Sequence, residues 1–298
     1  MNNKFKADFS LLLVTIAWGA SFILTKNVLG ELETFNFLAV RFFIAFLLSW
    51  ILFFKEMIKT DRKTFKNSLV LGLIMFGAFT FQTMGLNFTT ASKSAFITGI
   101  NVVMVPIISS VFLKEKPELK TIIAVIGAFL GLSMLTMDGG ITSINIGDIY
   151  TFISAILFAM SIIMVGKYTK ESKSVPLAVY QFGVVAFFAG LASFFFEDFT
   201  ISISRSASAD IMILVVFCTI GAYVVQSVAQ KYTSSTHTAL IFTGEPVFAG
   251  IFGYILLGEV LGGVKLLGAV VIVLSMLFSE ISVGDILNYK KNESRQGS

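Results

Sequence analysis

Runs of about 20 apolar residues alternate with short polar connections along nearly the whole chain. The pattern predicts helices over 7–29, 34–54, 67–87, 91–113, 119–137, 147–167, 176–196, 210–231, 236–257 and 263–281. Each is long enough to cross a bilayer, where a helix satisfies its own backbone polar groups. A transmembrane barrel would instead show short alternating segments. No connection is long enough for a separate soluble domain. The expected fold class is an all-α membrane protein with ten transmembrane helices.

Composition agrees with this reading. The chain has 298 residues, 56% of them hydrophobic and 13% charged, which exceeds what a soluble core of this size absorbs. The pI of about 9.0 does not point to nucleic acid, because the basic residues fall in alternate loops. With the N-terminus inside, all but five of the 22 Lys and Arg lie in cytoplasmic segments; the five are Lys26, Arg41, Lys93, Arg205 and Lys265. Both termini are therefore expected in the cytoplasm, with the chain in the cell membrane, a prokaryotic inner membrane.

The single cysteine, Cys218, excludes an internal disulfide, and the single histidine, His237, excludes a histidine metal cluster. The chain has no His-Glu-x-x-His zinc motif, no Gly-x-Ser-x-Gly elbow and no Walker A sequence. No enzyme activity, metal, cofactor or direct ATP drive is expected. The expected partners are a small-molecule substrate and the lipid bilayer. A small-residue face at Gly127 and Gly131 serves packing within one chain or a homodimer.

A faint internal repeat gives these spans an order. Thr89–Glu115 aligns with Thr233–Glu259 without a gap, at an offset of 144 residues. The identities are Thr89/Thr233, Ala95/Ala239, Ile97/Ile241, Val103/Val247, Ile107/Ile251, Leu113/Leu257 and Glu115/Glu259. Five predicted spans separate the copies, and an odd number inverts the second in the bilayer. The division is a first five-helix repeat over 1–140, a second, inverted one over 141–284, and a polar cytoplasmic tail over 285–298. Inverted repeats around a midplane site are characteristic of secondary transporters.

The repeat pairs polar and aromatic residues at matching depths. At an offset of 140, Trp18 lies over Phe158 and Arg41 over Gln181; at 144, Gln82 pairs with Gln226, Lys93 with His237 and Asn101 with Glu245. An ionisable side chain at a helix centre costs about 2.5–3.5 kcal/mol on insertion scales, so each is a candidate functional group. Glu245, between Gly244 and Pro246, is the foremost, as a binding carboxylate or a proton-exchanging one, and a structural carboxylate is the alternative. Arg41 either binds a carboxylate or phosphate or snorkels outward. Lys26 is expected to snorkel, and His237 to be an interfacial, solvated residue. The candidate substrate-binding set is Trp18, Arg41, Gln82, Asn101, Phe158, Gln181, Gln226 and Glu245. Tyr180 and Tyr223 are further aromatic residues that would suit a pocket wall.

Several stretches in this order resemble the EamA-type transporters of the drug/metabolite transporter superfamily. They are Ala17–Phe22, Arg41–Ala45, Lys93–Thr98 through Val105-Pro106 to Lys114–Pro117, Tyr180-Gln181-Phe182, Gly244–Ala249 and Leu257-Gly258-Glu259. The resemblance implies two five-helix halves about a pseudo-twofold axis, with a cavity lined by spans 1–4 and 6–9 and with spans 5 and 10 peripheral. It implies transport of amino acids, other small metabolites or toxic compounds, often outward. A channel or facilitator, and a membrane-embedded enzyme, are the competing classes. The proline of the Glu-Pro-Val pattern has Val102 at its matching position, with Pro106 four residues later, so strict symmetry of the helix breaks is not expected.

Overall fold

A computed structural model describes residues 3–112, 114, 117–136, 145–198, 203–257 and 262–280, and every regular element among them is a helix. The first part comprises α1 (Asn3–Val28), α2 (Thr34–Leu52), the short α3 (Phe54–Met57), α4 (Arg62–Phe88), α5 (Ala91–Gly99), α6 (Asn101–Phe112) and α7 (Leu119–Thr136). The second comprises α8 (Ile146–Tyr168), α9 (Ser174–Phe196), α10 (Arg205–Ile213), a π-helical stretch (Leu214–Gly221), α11 (Ala222–Ala229), α12 (Ser235–Phe242), α13 (Gly244–Leu257) and α14 (Gly263–Glu280). Among the described residues eight rods are long and apolar enough to cross a membrane, three of them composite: α5–α6, α12–α13, and α10 with the π-helical stretch and α11; α7 and α14 contain shorter apolar stretches. Glu115 and Glu259, the ends of the sequence repeat, lie outside the described residues.

Side-chain oxygens fix several helix starts by taking up otherwise unpaired backbone N–H groups. Asp61 caps α4, Thr90 caps α5, Ser204 caps α10 and Ser234 caps α12. Asn145 and Asp148 form a reciprocal capping box at the start of α8.

The helices pack in matching pairs. α4 lies on α8 and α9, while α1 lies on α11 and α2 on the π-helical stretch; α1 lies on α13, while α8 lies on α5 and α6. α2 packs on α9 and α7 on α14, each pair joining equivalent members of the two parts, while the α6–α12 contact is mirrored by α5–α13. The α1–α13 contact requires Gly19, because a Cβ there would stand 2.7 Å from Phe248 Cβ and 2.9 Å from the Glu245 carbonyl oxygen. Gly85 on α4 meets Gly147 on α8 in the same way, and Gly131 on α7 meets the Gly268–Ile272 backbone of α14. The small-residue face of α7 is thus spent within the chain.

The breaks within the two interrupted rods fall at equivalent places, against the sequence expectation. α5 stops at Gly99 and α12 at Phe242, so the breaks coincide to within one residue at the 144-residue offset. Pro246 accounts for the second, since it lacks an N–H and its ring excludes the carbonyl four residues back. No proline is needed for the first. Gly99 weakens the helix, and the Ile100 N–H tightens onto Ile97 O at 3.2 Å, as the Thr243 N–H does onto Leu240 O at 3.1 Å.

The largest apolar cluster, around Phe37, Phe42, Phe182, Leu214 and Tyr223, holds α2, α4, α9 and the π-helical stretch together. Phe112, Phe194, Phe195, Phe196 and Ile51 face outward and are exposed, as lipid-facing side chains must be.

Candidate functional site

Where the two helix breaks meet α1, α2, α4, α8 and α11, the bundle encloses a central cavity. The space open to the centre of a water-sized sphere is about 40 Å³, room for a few waters. Fourteen residues line it, and twelve are six pairs at the sequence offsets: Trp18/Phe158, Ser21/Ser161, Phe79/Tyr223, Gln82/Gln226, Thr98/Phe242 and Asn101/Glu245. Arg41 and Ile162 complete the wall without a partner.

Arg41 is 3% exposed, yet only one of its five N–H donors bonds to a described residue. Its Nε donates to Thr219 Oγ1 at 2.9 Å, and that hydroxyl donates to Leu214 O at 2.8 Å, five residues back. The π register of Leu214–Gly221 thereby holds the hydroxyl on the Arg41 side. Single π turns within helices recur at functional sites. The guanidinium carbon lies 5.8, 5.4 and 5.0 Å from the ring centroids of Phe37, Phe42 and Phe79. These π faces stabilise the cation without neutralising it.

Glu245 opens α13, directly after the break, where the free N–H groups of a helix start favour a negative charge. Its carboxylate makes no hydrogen bond or ion pair with any described residue, and among the described residues no carboxylate lies within 4 Å of Arg41. One cation and one anion therefore face the same small cavity and leave each other unsatisfied.

The polar pairs around them are partly engaged. Gln82 Nε2 reaches Thr98 Oγ1 at 3.4 Å, and Gln226 Nε2 donates to Gln230 Oε1 at 2.9 Å while its own Oε1 is buried without a partner. Trp18 donates to the Cys218 carbonyl at 3.0 Å and packs on Tyr223 and Phe242, with centroids 5.1 and 4.8 Å away. Phe158 meets Phe79 edge-on at 5.4 Å.

Seven of the eight expected residues stand on this wall: Trp18, Arg41, Gln82, Asn101, Phe158, Gln226 and Glu245. Gln181 does not. Its amide nitrogen donates to Leu177 O on its own helix at 2.8 Å, its oxygen is buried without a partner, and α9 sends no residue to the cavity. Tyr180 is also elsewhere, packed on Phe65. Ser21, Ser161, Phe79, Thr98, Phe242 and Ile162 are wall residues that polarity alone does not single out. All but Ile162 fall into pairs at the same 140- and 144-residue offsets.

Lys26 is exposed in the last turn of α1. It donates to the Leu86 and Thr89 carbonyls at the C-terminus of α4, at 3.3 and 2.5 Å, where a cation complements the helix dipole. Lys93 pairs with Asp148 at 2.6 Å. His237 is 7% exposed rather than solvated, and its Nε2 stands 3.6 Å from Asp8 Oδ1.

Comparison with known proteins agrees with this architecture. The model of the EamA-like transporter family matches twice, over residues 5–137 and 145–280. An uncharacterized transporter of Archaeoglobus fulgidus is 34% identical over 278 residues, covering 93% of this chain and 86% of that protein. The uncharacterized transporter YyaM of Bacillus subtilis is 26% identical, covering 90% of this chain and 91% of its own length. A solved crystal structure superposes with a TM-score of 0.77 over 92% of this chain and 96% of the other, at 12% identity, which supports the fold alone. With the family matched across both parts of the chain, this multi-pass protein belongs to the EamA-like transporter family and is a membrane transporter of that type.

Proposed function

We propose that the protein is a secondary transporter of small zwitterionic metabolites, amino acids or close relatives, and that it exports them by alternating access. The observation that carries this reading is the pair of unsatisfied opposite charges, Arg41 and Glu245, on one cavity. A substrate carboxylate would take the free guanidinium donors, and a substrate ammonium would take the Glu245 carboxylate. Gln82, Gln226 and Asn101 would accept or donate hydrogen bonds to the rest of the ligand, between the aromatic faces of Trp18 and Phe158. In the substrate-free return step Glu245 would take up a proton in place of the ammonium, which would couple transport to the proton gradient.

The mirrored helix contacts and the two breaks support two inverted five-helix halves, 1–140 and 141–284, that rock about this site. A cavity with room for only a few waters has to widen before it accepts a metabolite, as such rocking would allow. The charge distribution supports cytoplasmic termini in a cell membrane, with the chain acting as a monomer or homodimer. Purified protein in liposomes should release preloaded amino acid, and an imposed pH gradient should alter the rate at fixed membrane potential. Normal transport by both Arg41→Ala and Glu245→Gln would rule out this site. Steady conductance with both ends open at once would favour a channel instead.

A further inference from the structure

Asp148, Lys93 and Thr89 form a triad at one end of the bundle, and the sequence offsets map it onto a second triad at the other end. Asp8 lies 140 residues before Asp148, while His237 and Thr233 lie 144 residues after Lys93 and Thr89. Each triad joins the first helix of one half to the helix-break rod of the other, α8 to α5 and α1 to α12. Under the topology proposed above, Asp148 lies at the outer end and Asp8 at the inner.

The two triads are in different states. Asp148 accepts from Lys93 Nζ at 2.6 Å, from Thr89 Oγ1 at 3.0 Å and from the Asn145 N–H at 2.9 Å. Asp8 has both carboxylate oxygens buried with no hydrogen-bond partner among the described residues, and Thr233 Oγ1 is buried and unpartnered too. The 3.6 Å from His237 Nε2 to Asp8 Oδ1 is too long for a hydrogen bond. Part of the contrast is local, since Asn145 caps α8 whereas Phe5 holds the matching place on α1. The remainder is the substitution of an imidazole for an ammonium. A basin of about 570 Å³, by the measure that gives about 40 Å³ for the central cavity, opens beside the unmade triad, with Thr233 and His237 on its wall.

We propose that Asp8, His237 and Thr233 form a proton-binding latch that closes the inner end of the transporter when His237 is protonated, the titratable counterpart of the permanently charged Lys93–Asp148–Thr89 latch. This rests on the alternating-access reading above. A neutral imidazole attracts Asp8 weakly; an imidazolium donates from both nitrogens and offers the carboxylate its missing partner. Other charged groups lie around the pair. Lys4, one turn before Asp8 on α1, Lys120 on α7, Lys170 beyond α8 and Lys231 before α12 line the basin, with Glu118 and Tyr232. Lys6 lies between Lys4 and Asp8 on α1, Lys167 and Tyr168 end α8, α6 adds no titratable group, α13 adds Glu245 on the central cavity and Tyr254, and α14 adds Lys265 near its far end and closes at Glu280, next to Ser279 of the basin wall. Asp8 gains its partner from the imidazolium, so protonation and closure favour each other. Closure is present on the acid side of neutrality and lost as pH rises.

Hydrogen–deuterium exchange of the full chain in lipid nanodiscs reads the latch without any substrate, so its failure is distinct from failure of the transport reading. Rates are corrected for intrinsic exchange. Between about pH 8 and about pH 5.5, exchange over 231–240 should slow roughly fivefold while exchange over 88–95 stays constant. Asp8→Asn should abolish the slowing, and His237→Lys should hold 231–240 protected at both pH values. Lys93→His should transfer the pH response to 88–95, a gain that misfolding cannot imitate. A wild-type chain with no pH response over 231–240, a response that survives Asp8→Asn, or a Lys93→His chain with no response over 88–95 overturns the proposal.

Discussion

The two walls of the central cavity are built from the same positions and do different work. Trp18 corresponds to Phe158, Ser21 to Ser161 and Gln82 to Gln226 in pairs of like character, which give the cavity a shape indifferent to which half a ligand touches. Asn101 against Glu245, Thr98 against Phe242, and Arg41 on the wall while Gln181 turns away break that likeness. A symmetric cavity would hold a ligand equally well in two orientations. Charge of one sign on α2 and of the other on α13 leaves one orientation. The matched pairs thus define a volume, and the mismatches define a polarity.

Removing a mismatch should have the largest effect. Arg41→Gln or Glu245→Gln should lower transport at limiting substrate about 30-fold or more, the equivalent of roughly 2 kcal/mol lost when one member of a desolvated charge contact is removed. Liposome flux measures this. A change of twofold or less would mean that the mismatched charges are structural. Gln181→Leu, the partner position off the wall, should leave the same flux within about twofold, because it touches no cavity atom.

The next largest effect concerns how closely the halves approach. Gly19→Val would drive its side chain into the Phe248 and Glu245 backbone region of α13, and should cost about 1–3 kcal/mol. The matching residue on α8, Ala159, already carries a methyl group and is fully buried, so Ala159→Gly should cost only about 1 kcal/mol of helix propensity plus lost packing. Thermal denaturation in detergent compares the two, and equal shifts would mean that the α1–α13 approach is no closer than its counterpart.

Much of this was legible in the sequence because inversion leaves a trace in spacing. The apolar runs mark every long helix, and the offsets of 140 and 144 residues find the Gln82/Gln226 and Asn101/Glu245 pairs on the wall. The same offsets reach Ser21/Ser161 and the Asp8/Asp148 pair, which pass unnoticed when only deep charges and amides are followed. Gln181 was misplaced because symmetry specifies a position on a helix and not a rotamer; its amide bonds its own helix instead. The π stretch behind Arg41 has no sequence signature, since it reflects where Thr219 finds a backbone acceptor once α2 is packed against it. His237 looked like an interfacial residue because burial by a neighbouring helix cannot be read along one chain.

The smallest expected effect lies at the bundle surface, away from both walls. The hydrogen bond from Lys63 at 2.7 Å holds the Glu171 carboxyl below the usual carboxylate range, on exposed side chains. A carboxyl shifted down contributes stability above its ordinary range and loses it as pH falls through the lowered value. Lys63→Ala should therefore slightly flatten the acid limb of a denaturation profile and leave neutral stability almost unchanged. A large loss at neutral pH would show that this tie matters as much as the interior contacts.

The most direct test of the polarity of the cavity is a binding series on purified protein. An amino acid that raises the melting temperature is compared with its amide, which lacks the carboxylate, and with its deaminated acid, which lacks the ammonium. The wild-type chain should be stabilised by the zwitterion and by neither truncated ligand. Arg41→Gln should lose discrimination against the amide, and Glu245→Gln should lose discrimination against the deaminated acid. Identical ligand profiles in the wild type and both variants would contradict the assignment of the two charges to the two ends of one substrate.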